Sequence, residues 1–255
     1  STLFPYTTLF RSLFTLTPDF GYHVSDIEID GISVGAATSY TFLNVTASHS
    51  ISAVFSINYY EIEVTQKAGG TISPSTTLVM HGNSQSFAIT PDVGHHIVDV
   101  LVDGTSVGAV ASYDFINVIE SHSISAVFAI DTFEIAATSN LGGTINPSGI
   151  VVVNYGSSQS FSLTPDTGYY IADIEINGSG VGAAASYEFT NVTASQSISA
   201  VLAINVYQLT VGATIGGNID DPVASPTSVE HGAATSIVAV ADTGYHFVEW
   251  QVTTG

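Results

Sequence analysis

The sequence predicts an all-β protein, a tandem array of small β-repeat domains of about 74 residues each with essentially no helix. Three observations carry that prediction. A Thr-Pro-Asp-x-Gly phrase occurs at 17–21, 90–94 and 164–168, with a degenerate form at 241–244, so its second positions lie 73, 74 and 76 residues apart. A Gly-Gly pair at Gly69 and Gly70, Gly142 and Gly143, and Gly216 and Gly217 repeats at spacings of 73 and 74. Two independent landmarks with one period define a repeat architecture. Within each period, apolar residues alternate with polar ones, which is the periodicity of a half-buried strand.

Taken in chain order, Tyr60-Glu61-Ile62-Glu63-Val64 puts apolar residues on one face and glutamates on the other. The same alternation runs through Ile27-Glu28-Ile29-Asp30 and through Ile51, Ala53, Phe55 and Ile57. Turn chemistry separates these runs. Asp30-Gly31, Asp103-Gly104 and Asn177-Gly178 are two-residue hairpin signals, because that turn needs positive φ at both central residues. Gly82 and Gly156 mark a second tight turn, and Pro74 and Pro147 cap short segments. Five or six short strands per repeat are expected, in a β-grasp-like or small β-sandwich-like arrangement. The expected core of the second repeat is Tyr60, Ile62, Val64, Phe87, Ile89, Ile97, Val100, Val102, Tyr113, Phe115, Ile124, Ala126 and Phe128. A domain this small buries only roughly 60% of its unfolded surface, so aromatic anchors matter.

The pattern divides the chain into residues 13–58 (a partial first repeat), 59–131, 132–205 and 206–255 (a partial fourth). The two partial repeats are expected to be less stable than the complete ones. Residues 14–58 and 161–205 are about two thirds identical, as expected of duplication within the chain. Repeats follow one another with almost no linker at 57–59, 130–132 and 204–206, which predicts a semi-rigid rod with roughly 30 Å per repeat. Residues 2–12, Thr-Leu-Phe-Pro-Tyr-Thr-Thr-Leu-Phe-Arg-Ser, resemble an in-frame translation of a short-read sequencing adapter. Residues 1–12 are therefore read as an artefact leader.

Charge is sparse and one-sided, with 22 acidic against two basic residues and a formal net charge of −20. Such a surface repels phosphate backbones and anionic lipid heads, so neither nucleic acid nor a membrane surface is an expected partner. No apolar run approaches the length of a membrane-spanning helix. With no cysteine, thiol catalysis, thiolate metal sites and disulfides are excluded together.

Several stretches give the repeat a family resemblance. They are Gly-Gly-Thr-Ile-Ser-Pro-Ser at 69–75, Tyr-Gly-x-x-Gln-x-Phe at 155–161 and Ser-Ile-Ser-Ala-Val-Phe at 50–55 and 123–128. Gly-Tyr-His-Phe-Val-Glu-Trp at 244–250 is the fullest of them. The repeat resembles the divergent internalin B-repeat family of bacterial surface and secreted proteins. Earlier repeats carry Ile27, Val100 and Ile174 where that family's tryptophan belongs. The resemblance implies extracellular display, tandem repetition and a role in stalks, adhesins or linkers. It brings no active-site motif.

Candidate sites are weighed against that background. Asp26, Glu28 and Asp30, Asp99 and Asp103, and Asp173 and Glu175 line strand faces. Carboxylates at this spacing can contribute to a calcium site, but Asn177 replaces the last acid in the third copy and no twelve-residue calcium loop exists. A solvated strand face is the preferred reading. The eight histidines form no metal constellation; His95 and His96 align with Tyr22 and His23, with Tyr169 and Tyr170, and with Tyr245 and His246. No Ser/His/Asp arrangement recurs and the Gly-Gly pairs precede strands, so no enzyme, cofactor or metal is expected. The Asn-x-Ser/Thr sequences at 44–46, 177–179 and 191–193 are chance matches to a glycosylation sequon. Tyr22, Tyr169, Tyr170 and Tyr245 are the residues able to stack on a sugar ring, or else to pack inward and cover a sheet edge. A spacer is the leading expectation, and a multivalent module binding an extracellular glycan or protein is the alternative.

Overall fold

A computed structural model describes residues 11–221 and 225–252, which fall into two compact units, Ser1–Ile130 and Asp131–Gly255. Most of the adapter-like stretch lies outside the described residues. In the first unit, the first repeat supplies β1 (Arg11–Thr15), β2 (Tyr22–Ile29), β3 (Ile32–Gly35), β4 (Ser39–Leu43) and β5 (Ile51–Ile57). The second supplies β6 (Tyr59–Thr65), β7 (Gly70–Ser73), β8 (Thr77–Met80), β9 (Gln85–Pro91), β10 (His95–Val102), β11 (Thr105–Gly108), β12 (Ser112–Phe115) and β13 (His122–Ile130). In the second unit, the third repeat supplies β14 (Thr132–Ser139), β15 (Gly143–Asn146), β16 (Gly149–Asn154), β17 (Gln159–Pro165), β18 (Tyr169–Ile176), β19 (Ser179–Gly180), β20 (Ser186–Phe189) and β21 (Gln196–Ile204). The fourth supplies β22 (Val206–Leu209), β23 (Gly217–Asp221), β24 (Thr227–Glu230) and β25 (Val238–Ala241). No helix occurs among the described residues.

The second and third repeats fold alike. Each has a five-stranded sheet, in order β11-β10-β13-β6-β8 and β19-β18-β21-β14-β16, and a three-stranded sheet, β12-β9-β7 and β20-β17-β15. At the centre of each large sheet the first and last strands of the repeat run parallel, β6 beside β13 and β14 beside β21. Parallel neighbours cannot be joined by a tight turn; here the six intervening strands make the crossover. The arrangement is both grasp-like in its mixed sheet and sandwich-like in its second layer.

Eight strands per complete repeat exceed the five or six expected. The extra ones are four-residue pieces such as β7, β8, β11 and β12, too short for alternation to stand out from their flanking turns. The hairpin signals fold as their residue types require. Asp103 and Gly104 have φ of 50° and 78°, and Asn177 and Gly178 have 51° and 77°. Bulges interrupt the same strand at the same place, between Val24 and Asp26, Ile97 and Asp99, and Ile171 and Asp173. One extra residue there bends the strand and re-aims the aspartate.

The two sheets enclose one core per repeat. In the second repeat it contains Ile62, Phe87, Ile89, Val100, Phe115, Ile124 and Ala126, with Tyr60, Val64, Ile97, Val102, Tyr113 and Phe128 packed against it. Every residue expected from alternation is therefore in or against the core. Ile72, Val79 and Val118 join it from short strands and a loop. Ile27, Val100 and Ile174, aligned with Trp250 of the fourth repeat, are each 0% exposed. Phe87 and Phe161 lie edge-on to Phe115 and Phe189 at 5.8 and 5.9 Å, an arrangement favoured by the ring quadrupoles.

The flanking repeats have more open cores. Phe14 holds the place of Phe87 and Phe161 yet is 43% exposed, against 1% for each of the others. Phe87→Ala and Phe161→Ala should each destabilise their repeat by about 3–5 kcal/mol, and Phe14→Ala by much less. Amide exchange resolved by repeat checks this. It should also find weaker protection in β1–β5 and β22–β25 than in β6–β21; equal protection throughout would contradict the ordering.

Candidate functional site

The two landmarks read from the sequence meet in space. In the last three repeats the amide of the aspartate in the Asp-x-Gly turn donates to the carbonyl of the first glycine of the Gly-Gly pair: Asp92 to Gly69 at 2.9 Å, Asp166 to Gly142 at 2.8 Å and Asp242 to Gly216 at 2.9 Å. Each turn closes on itself, with the residue after its glycine donating to the aspartate carbonyl, as in Tyr169 to Asp166 at 3.0 Å. The ring that follows the turn then lies across the Gly-Gly backbone. A Cβ added to Gly142 would stand 2.1 Å from Tyr169 Cδ1, one on Gly216 would stand 2.3 Å from Tyr245 Cδ1, and one on Gly69 would stand 2.9 Å from His95 Cδ2. Only glycine allows the ring this close.

That geometry places the four candidate tyrosines in two kinds of position. Tyr169 and Tyr245 face a Gly-Gly pair, Tyr22 is their equivalent in the sequence of the first repeat, and Tyr170 is the residue after Tyr169. Tyr169 is half-buried over Gly142, whereas Tyr245 keeps 59% exposure although it lies on Gly216. Tyr22, whose repeat has no Gly-Gly strand among the described residues, is 44% exposed and lines a shallow recess of ≈180 Å³ with Thr17, Asp19 and Phe55. Tyr170 is 49% exposed on β18. The structure does not bring these tyrosines together within a repeat as a paired platform. In Tyr169 and Tyr170 one ring turns to the glycines and the other to solvent.

The acidic strand faces are drawn into local bonding. Asp26 Oδ1 accepts from the Ser33 hydroxyl and the Gly35 amide, both at 2.9 Å, tying the bulged strand to the edge of its hairpin. Asp99 does the same with Ser106 at 2.7 Å and Gly108 at 3.1 Å, and Asp173 accepts from the Gly182 amide at 2.7 Å. Glu28 accepts from Ser52 at 3.2 Å. The Asp26 carboxyl is held below its usual range, chiefly by the Ser33 hydroxyl. These acids point to different partners and do not converge on one point.

Asp30 and Asp103 clasp the hairpin turn to the start of the last strand. Asp103 Oδ1 accepts from the Ser123 amide at 2.7 Å, and Oδ2 bonds His122 Nδ1 at 2.8 Å. Asp30 makes the same pair with Ser50 and His49, at the same 2.7 and 2.8 Å. The third repeat builds an uncharged copy. Asn177 Oδ1 accepts from the Ser197 amide at 2.8 Å while its Nδ2 donates to Gln196 at 2.7 Å. Asp30 is held below the ordinary carboxyl range first by His49 and then by the Ser50 amide. For Asp103, burial pushes upward, but the bonds from His122 and Ser123 outweigh it and the net direction is down. The histidine at this position was invisible to sequence reasoning, because nothing in the spacing of 103 and 122 declares that they touch. The paired exchange of Asp and His for Asn and Gln between copies is the signal that could have found it.

Residues 60–132 and 207–255 match the family model of the divergent InlB B-repeat domain. No curated protein matches the chain. The third repeat lies outside the matched segments and shares the strand order of the second.

The two clasps make a pH prediction with a built-in control. A carboxyl with a folded-state pKa below its unfolded value, about 4, stabilises fully above that value and loses its contribution as pH falls through the folded one. Acidification from about pH 5 to below pH 4 should therefore weaken protection of the Ser123 amide. The Ser197 amide, bonded to a neutral Asn177, should change much less, and Asp103→Asn should make Ser123 behave like Ser197. Equal acid sensitivity of the two amides in the unmodified chain would contradict this account.

Proposed function

Because this chain carries divergent InlB B-repeat domains in its second and fourth repeats, we propose that it is a non-enzymatic spacer region of a secreted or cell-surface bacterial protein, one that holds other domains away from a surface. The family is a repeat domain typical of bacterial surface proteins and is not a known enzyme family. The observation that carries the reading is how recurring polar groups are used. Asp99 and Asp173 bond the edges of their own hairpins, and Asp103 and Asn177 tie their turns to the last strand of the same repeat. Repeats also succeed one another with a single residue between strands, as Asn58 does between β5 and β6 and Asn205 between β21 and β22. Such brevity suits a part whose task is separation. The acidic surface favours solubility at high local density, since like charges repel.

A second reading rests on Tyr170, together with Tyr22 and Tyr245: partly exposed rings that can stack on a sugar face. Repetition would raise weak binding by avidity. Screening the chain on a glycan array, with a parallel calcium titration, separates the two. The spacer reading expects no saturable binding and a β-rich spectrum unchanged by chelator. Glycan binding abolished by Tyr170→Ala would establish the adhesive reading instead.

A further inference from the structure

Two joints between repeats lie within the compact units, and they share one construction. At the first, the Asn58 amide donates to the Gly21 carbonyl at 2.7 Å and the Asn58 carbonyl accepts from the His81 amide at 2.9 Å. At the second, Asn205 donates to Gly168 at 2.7 Å and accepts from His231 at 2.8 Å. The single joint residue is thus bonded on one side to the turn glycine of its own repeat and on the other to the turn after the third strand of the following repeat. Both of its backbone groups are spent on this relay.

A ring completes each joint. A Cβ built on Gly21 would stand 2.2 Å from Cδ2 of His81, and one on Gly168 would stand 2.1 Å from Cδ2 of His231. Each imidazole of the following repeat therefore lies directly on the glycine of the preceding one. Gly21 and Gly168 are buried, whereas Gly244, the same turn position in the fourth repeat, is exposed and would meet nothing within 4 Å. Neighbouring groups hold the rings in place. Phe20 meets His81 edge-on at 4.7 Å and Tyr60 lies 5.8 Å away. At the other joint Tyr207 lies 6.0 Å from His231, its hydroxyl 3.4 Å from Nδ1. The first joint has a further tether from His23 Nδ1 to Asn58 Oδ1 at 2.8 Å. In the sequence, the position of His81 and His231 is Tyr155 in the third repeat, again a planar ring.

We propose that the x-Gly turns of the first and third repeats and the rings after the third strand of the second and fourth are the two halves of a head-to-tail docking surface. The partner this surface fits is another repeat of the same kind, presenting a His. Docking fixes each of these two joints in one orientation. The glycine is required because a side chain would occupy the seat of the ring, and the ring is required because only a flat group fits so close to backbone. This goes beyond the choice between spacer and adhesin, since either array would use it.

The full chain tests the proposal. His231→Ala and His81→Ala should speed exchange of the Asn205 and Asn58 amides on the order of tenfold, as expected when a supporting contact is lost. Nitrogen relaxation should then show the third and fourth repeats reorienting independently in His231→Ala. Protection of Ile198 and Ala200 in β21 should stay unchanged, which separates a loosened joint from an unfolded repeat. His231→Tyr should retain the slow exchange of Asn205, because a flat ring can still cover Gly168. Gly168→Ala should act like His231→Ala; if it unfolds the third repeat instead, the histidine variants decide. Unchanged Asn205 exchange and coupled tumbling in His231→Ala would overturn the proposal.

Discussion

Close approach of a ring to a bare stretch of backbone is the interaction on which the rest of this structure depends. Inside a repeat, Tyr169 lies on Gly142; between repeats, His231 lies on Gly168. In both cases a single methyl group would occupy space that the ring needs, so the glycine is a steric requirement. The payoff is dense packing in a domain too small to bury much surface otherwise. The same turn serves both contacts, because Tyr169 follows the glycine that seats His231. Internal packing and the contact between the third and fourth repeats therefore meet at two consecutive residues, Gly168 and Tyr169.

The topology explains why such a node sits at a joint. First and last strands run parallel and adjacent at the centre of each large sheet. A chain leaving the last strand can therefore enter the first strand of the next repeat after one residue, with no linker to cross the domain. The joint residue is left flanked by backbone on both sides, and its amide and carbonyl are satisfied there. Unpaired, they would cost free energy wherever they were shielded from water.

Repetition also exposes which contacts tolerate change. The hairpin clasp survives the exchange of Asp103 and His122 for Asn177 and Gln196, because the amide reproduces the geometry of the carboxylate without its charge. Ile27, Val100 and Ile174 stand where the fourth repeat has Trp250 and are fully buried, so an aliphatic side chain closes that core. At these two positions what persists is shape and hydrogen-bond polarity rather than charge.

The sequence by itself determined the repeat period, the absence of helix in the described residues, the hairpin turns and most of the core. Those features are local or periodic. Alternation reveals which face of Tyr60–Val64 is apolar, and Asp-Gly or Asn-Gly declares a turn from two adjacent residues. Two sheets per repeat, the parallel central pair and the short strands β7, β8, β11 and β12 were decided by tertiary structure. Four residues carry too little pattern, and pairing partners such as Ile62 and His122 lie far apart in the chain. The candidate tyrosines were legible as amphipathic rings after a turn, but which one faces Gly142 and which faces solvent depends on the Gly-Gly strand folding back beneath them. The ring-on-glycine joint was illegible for the same reason. Contacts between residues 21 and 81, or 168 and 231, exist only once two repeats have folded and their strands meet end to end.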